Sequence, residues 1–216
     1  MILIRTENAI IERLRQGLGQ LVREVGSYGG ELDESLPDAI RRFPAAWVTF
    51  GGISQTVAHG TSRQKFRATG QFVVMVADRS VRGEAAGRHG GAGPGEVGSY
   101  PLVYAVRRLL SGQDLGLPID ALLPGRVRSL SGVQTSAQAL SVFACDFQTA
   151  WIEDALPRGH WPSPQHPAEP DRIFAQYAGR LEQPAPDWLR TGLDYHLTPD
   201  DGVADARDLI STRSEA

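Results

Sequence analysis

Lysine is all but missing from this chain: of its 22 Lys and Arg residues, only Lys65 is lysine. A phosphate-gripping P-loop needs G-x-x-x-x-G-K-[ST], in which lysine reaches the phosphates and the hydroxyl holds magnesium. The glycine-rich segment 83–95, "GEAAGRHGGAGPG", contains no lysine and does not fit that pattern. Arginine, alanine and 24 glycines in these proportions suggest a GC-rich genome, so arginine clusters carry reduced functional weight. Cysteine is equally scarce. Cys145 is alone, which excludes an internal disulfide, and its setting, "SVFACDFQTAW", is that of a small buried hydrophobe. A reactive thiol needs electropositive, partly exposed surroundings instead. Nowhere do about 18 uncharged apolar residues run together, so no membrane span is expected. The opening "MILIRTENAIIERLR" lacks the features of a secretory signal, and a cytosolic start is expected.

Side-chain groupings that carry chemistry are also thin. The five histidines are His59, His89, His160, His166 and His196. Only His160 and His166 lie close in sequence, and "HWPSPQH" fits no common zinc spacing. "ED" at 153–154 and "PDD" at 199–201 read as cap and turn residues. No G-x-S-x-G elbow is present. Asp146 interrupts an apolar strand, which one wet sheet face explains better than a buried acid of raised pKa. The expectation is no catalytic residues, no metal, no cofactor and no enzymatic activity.

What is there is patterned for a core. Residues 6–25 place Ile10, Ile11, Leu14, Leu18, Leu21, Val22 and Val25 at helical spacing, with Thr6 as N-cap and Gly29 as stop. Gly17 and Gly19 weaken such a helix by roughly 1 kcal/mol each, and fit where another element packs closely. "AAWVTFGGI" (45–53) is a strand, and "SQTVAHGTS" reads as a hairpin connection. In the long run that follows, Phe66, Ala68, Gly70, Phe72, Val74 and Val76 alternate on one face, with Lys65, Arg67, Thr69 and Gln71 on the other. Val73 and Met75 then cover the second face as well. Phe66 and Phe72 could serve as base-stacking rings among basic residues, but their shared apolar face favours core. "SYPLVYAVRRLLSG" (99–112) is a second helix capped by Ser99, followed by strands in "GRVRSLSGVQT" and "ALSVFACDFQTAWIED". Phe143, Cys145, Phe147 and Trp151 share a face of the last strand, with Val142 and Ala144 behind.

The order helix-strand-strand-helix-strand-strand predicts an α+β fold, a mixed or antiparallel sheet with helices packed on one face. This core domain is expected over 1–155, with a Pro-rich, acidic arm over 156–216. Eight of the fourteen prolines lie in 157–199, and residues 153–216 carry a net charge of −6 against +3 for 1–152. Within the arm, "DRIFAQYAGRL" reads as a helix and "LDYHL" as an extended piece. Trp161, Tyr177, Trp188 and Tyr195 are too aromatic for a plain linker, so the arm packs on its own body or on a neighbour. The segment 83–95 is too long and loose for the tight glycine turn of a dinucleotide site, and reads as a flexible arm. Arg63, Lys65, Arg67, Arg79, Arg82 and Arg88 lie in and before it, against Asp78 and Glu84. Such a stretch can face DNA or an acidic partner; a solvated loop is the open alternative.

The stretches "TENAIIERLR", "VADRSVRGEAAGR…GSYPLVYAVRRLLSGQDLGLPI" and "DWLR…LTPDDGVADARDLI" together resemble one family. It is the small protein encoded in the tail-gene cluster of Mu-like phages and prophages, ahead of the sheath and tube genes. By gene position and helix-strand order, that family is similar to tail terminators. The resemblance implies a virion protein, made in the host cytoplasm, that assembles without covalent catalysis. It implies a homo-oligomeric ring, expected to be a hexamer, that caps the tail tube and forms the head-tail joining surface. The implied partners are tube and sheath proteins and a neck or head-completion protein, with no membrane. The six basic residues named above are the candidate contacts to the lumen, where DNA passes, or to a partner. Trp161, Tyr177, Trp188 and Tyr195 are the candidate clasp on a neighbouring subunit. Three other readings are weighed beside this one, among them a free-standing α+β binding module with no phage role. A neck or head-completion protein is the nearest; a phage enzyme acting on nucleotides or nucleic acid lacks the lysine and the acidic cluster it would need.

Overall fold

A computed structural model describes residues 1–30, 41–61, 64–80, 88–90, 97–130, 139–182, 190–198 and 201–211. Its contacts divide the chain into two units, Met1–Pro157 and Arg158–Ala216.

The first unit is α+β. Helix α1, Ile2–Leu18, buries Thr6, Ile10, Ile11, Leu14 and Leu18 along one stripe. It starts before the expected cap, so Thr6 lies inside it and is buried. It also stops earlier than its apolar spacing suggests. Gly19 takes φ 49° with ψ −121°, a positive-φ conformation that glycine adopts without Cβ strain and that breaks the helical repeat. After a single turn of 3₁₀-helix, Gly19–Leu21, the chain enters β1, Glu24–Ser27, which pairs parallel to β2, Ala45–His59. The amide of Arg23 donates to the carbonyl of Pro44 at 2.7 Å, and that of Tyr28 to Val48 at 2.8 Å. Sheet hydrogen bonds have overridden helical periodicity at Val22 and Val25.

Strand β3, Lys65–Ser80, pairs antiparallel with β2 and with β5, Ala139–Asp154. Strand β4, Leu123–Ser129, lies outside β5, which gives the order β1-β2-β3-β5-β4. At about 3.3 Å per residue, strands of fifteen or sixteen residues extend roughly 50 Å. The stretch read as a connection after Ile53 is therefore strand as far as His59. Two irregularities, between Phe50 and Gly52 and between Ile53 and Gln55, had disguised the alternation.

Helix α2, Ser99–Leu110, packs beside α1 on one face of the sheet. Ile10, Leu14, Leu18, Leu102, Val106 and Leu110 meet Val48, Phe72, Val74, Val76, Cys145 and Phe147 there. Gly98, at φ 82°, occupies the cap position expected of Ser99. Ser99 is instead buried one residue inside the helix, its hydroxyl 2.6 Å from that of Ser141. The expected close approach at Gly17 is present: a Cβ there would meet the Leu109 side chain at 2.5 Å. The second sheet face has its own smaller core, in which Phe43 and Trp47 stack edge to face above Val73, Met75, Ala77, Val142 and Ala144. Both faces of β3 are thus covered towards residue 76, as its alternation predicts.

The second unit holds α3, Arg172–Gln176, and a hairpin of β6, Arg190–Tyr195, with β7, Ala206–Ser211. The expected eleven-residue helix is a single turn, closed by Tyr177 and by Ala178 at φ 56°. The "LDYHL" stretch supplies β6; β7 was not foreseen.

Candidate functional site

Past the helical layer, β2, β3 and β5 continue as a three-stranded ribbon. Residues 53–59 of β2 are all exposed. The register sets three rows across it on one face: Gln55–Thr69–Ala150, Val57–Arg67–Ile152 and His59–Lys65–Asp154. Val57 and Ile152, each more than two-fifths exposed, flank Arg67. Lys65 pairs with Asp154 at 3.2 Å, and Arg67 with Asp120, which reaches over from the loop before β4. That loop is tied to β5 by the Asp120 amide, which donates to Ala150, and by the Thr149 hydroxyl, which donates to the Asp120 carbonyl. Between them lies an open depression of about 440 Å³ lined by Gln55, Arg67, Thr69, Asp120 and Gln148. Its lining offers amides, hydroxyls and one ion pair. Such groups can hydrogen-bond to another polar surface. Among the described residues, no three His, Cys, Asp or Glu side chains gather where they could hold a metal ion.

The opposite end of β3 is built differently. Asp78 is buried, and its carboxylate accepts from the amides of Arg79 at 2.8 Å and Gly98 at 2.7 Å. It thereby joins the end of the strand to the start of α2. Residues 88–90, in the middle of the glycine-rich segment, lie directly against Gly98, where any Cβ would collide with the backbone of His89 and Gly90. The His89 ring packs on Tyr100, which packs on Phe143. This described part of the segment is docked on the body, contrary to the expected free arm. Aromatic stacking and the absence of a Cβ at Gly98 provide the seat.

The basic residues grouped in sequence do not form one patch. Lys65 and Arg67 sit at the ribbon end. Arg79 lies twelve residues along the strand from Arg67, roughly 40 Å away, with Arg88 near that second end. Arg63 and Arg82 lie outside the described residues. Of the aromatic arm residues, Trp161 stacks under the Arg180 guanidinium at 4.4 Å, and its amide donates to Glu182. Tyr177 is 74% exposed. The Tyr195 hydroxyl donates to Asp208 at 3.2 Å. Trp188 lies outside the described residues.

Cys145 is the buried hydrophobe its setting implies; burial pushes its thiol up to about 11, with Arg107 lowering and Asp146 raising it more weakly. Asp146 faces Arg128 on β4 at 3.4 Å, so it has a cross-strand cation as well as a partly wet face. Besides the docking of 88–90, two features of these strand ends escaped sequence reasoning: the anchoring role of Asp78 and the strand character of 54–59. The first had a signal, a lone acid closing an apolar run just before a glycine-rich insertion. The second was hidden by the irregularities.

No curated protein matches the sequence. The family model described as bacteriophage Mu, Gp37 matches residues 2–152. The match takes in α1 through nearly all of β5, including two of the three stretches that carry the resemblance; the third, 187–210, lies beyond it. With more than two thirds of its length matched, the chain belongs to the bacteriophage Mu Gp37 family, a family of phage structural and assembly proteins.

Proposed function

We propose that this protein is a tail terminator: copies close into a ring on the end of a finished tail tube, stop its growth and offer the surface on which the head joins. It acts by contact between surfaces, without covalent catalysis. The observation that carries this reading is the exposed ribbon of β2, β3 and β5, which leaves Ile53, Val57 and Ile152 uncovered. A strand edge without a neighbour is a template for pairing with another chain, and heterologous contacts that close on themselves make rings. Six subunits is the expected ring. Tube, sheath and neck or head-completion proteins are its neighbours in the virion, after assembly in the host cytoplasm. Lys65 and Arg67 at one end of β3, with Arg79 and Arg88 at the other, give two separate basic points for partners. Any contact they make with DNA in the lumen goes to phosphates and is independent of sequence.

Electron microscopy of tails assembled without this gene product tests the role. Overlong tubes are expected. Tubes of normal length that lack heads would assign the protein to the neck instead. Hydrolysis of a nucleoside triphosphate by the purified protein, lost when Arg88 and the glycines of 87–95 are replaced, would overturn the contact-only reading altogether.

A further inference from the structure

We infer that the free edge of β2 is completed by the β6–β7 hairpin of a second copy of this chain; this rests on the assembly reading above and names the surfaces involved. Pairing of β1 with β2 ends at Val48, and among the described residues no strand lies beside 49–59 on that side. Natural edge strands are guarded by charges, prolines or bulges. Here the irregularities sit at the base, before Gln55, and the Ser54 hydroxyl bonds back to the Thr69 carbonyl. Beyond them, Gln55, Thr56, Val57, Ala58 and His59 run in regular register with no lysine, acid or proline. A run of that kind is shaped to be paired.

The hairpin is the matching half. Its two strands have six residues each, close to the length of the unguarded run. By register, Leu193, Tyr195 and Ile210 fall on one face, and all three are exposed. An isolated two-stranded hairpin is marginally stable in water and needs a third strand or a covered face. Charge favours the same pairing. Among the described residues, 53–71 hold Lys65 and Arg67 and no acid, while 190–211 hold Asp194, Asp201, Asp205 and Asp208 against Arg190 and Arg207. Asp154 and Asp120 take up part of the charge on Lys65 and Arg67 from the β5 side, so the attraction steers the encounter and backbone pairing holds it. A hairpin given to one neighbour, with the β2 edge receiving one from another, is a heterologous contact and propagates around a ring.

Two full-length variants, Val57→Cys and Ile210→Cys, test this with a short bis-maleimide; the native Cys145 is buried and stays silent. Cross-linking is run with and without tail tubes of the same phage, and ring formation is followed by mass photometry. The expected result is cross-linked dimers in the mixture, none from either variant alone, and a yield that falls as salt shortens the Debye length from about 10 Å at 0.1 M to about 3 Å at 1 M. Rings without the 57–210 cross-link would overturn this inference and leave the assembly reading standing. So would 57–57 dimers, which mean edge-to-edge pairing, or a concentration-independent cross-link within a doubly substituted monomer. A chain that stays monomeric with and without tubes would overturn both.

Discussion

Replacing Gly70 by alanine should destabilise the first unit through packing alone. Gly70 lies on β3 opposite Ile53 and Thr149, and the indole of Trp151 occupies the space above it. A Cβ there would stand 2.5 Å from Trp151 Cη2, 2.7 Å from Cζ3 and 3.2 Å from Phe50 Cε2. Carbon pairs rest at about 3.5–4.0 Å, so the ring has to retreat by roughly 1 Å. It is not free to do so, being buried, hydrogen-bonded through Nε1 to Glu153 at 2.8 Å and packed near Phe50. Overpacking of this kind costs about 1–3 kcal/mol. Alanine returns about 0.4–1 kcal/mol by restricting the unfolded chain, which leaves a net loss of roughly 1.3 kcal/mol at the middle of the two ranges. With a urea slope of about 2–3 kcal/mol/M, the midpoint followed by far-ultraviolet circular dichroism should drop by roughly 0.5 M. Gly70→Ala combined with Trp151→Phe should recover much of that loss, with a coupling of at least about 0.5 kcal/mol in the double-mutant cycle. A midpoint unchanged in Gly70→Ala, or a coupling of zero, would refute the claim that the indole dictates glycine here.

Two further outcomes follow from the body. Asp78→Asn should lower the melting temperature by several degrees: it puts an amide donor near two backbone N–H groups and removes a charge-assisted acceptor, about 1–3 kcal/mol, at roughly 2–4 °C per kcal/mol for a chain of this size. An unchanged melting temperature would mean that Asp78 is not the joint between β3 and α2. Because burial holds the Cys145 thiol near 11 against an ordinary 9.0, its contribution is intact below pH 9 and is lost as pH rises towards 11. Over that window the wild type should lose up to about 2–3 kcal/mol relative to Cys145→Ala, and parallel urea-stability curves for the two proteins would contradict the burial argument.

The layered α+β core was legible because its apolar residues keep strict periods: 3.6 in α1 and α2, and 2 along β3 and β5. Legibility failed where a local period competed with a tertiary hydrogen-bond partner. Val22 and Val25 fit the helix stripe of α1, yet Glu24–Ser27 was claimed by the edge of β2. The continuation of β2 failed for the opposite reason, since two register shifts broke an alternation that the ladder with β3 tolerates. Among the candidate contacts, adjacency in sequence misled. Lys65 and Arg79 lie on one strand, and a strand separates its ends more than any other element does. The docking of 88–90 was illegible because it depends on Gly98 and Tyr100, about ten residues further along the chain.

The ribbon itself argues about purpose. Ordering a residue's backbone costs about 1–2 kcal/mol, and in the body that cost is offset by apolar burial around Phe72, Val74, Val76 and Phe147. In the outer half of β2, residues 53–59 are exposed, so burial offsets little of it, and ladder hydrogen bonds contribute only about 0.5–1.5 kcal/mol each. If the only task of β2 were to complete the core, it could end near Phe50, where the packing on Phe72 ends. Nine more residues of strand, the last five of them past the irregularities with no lysine, acid or proline at the edge, make physical sense when something covers them in the working state. Under the proposed assembly, covering Val57 and Ile152 on one face while pairing the backbone would stiffen the ribbon and join the subunits in one step. Ring closure and ribbon ordering would then be coupled.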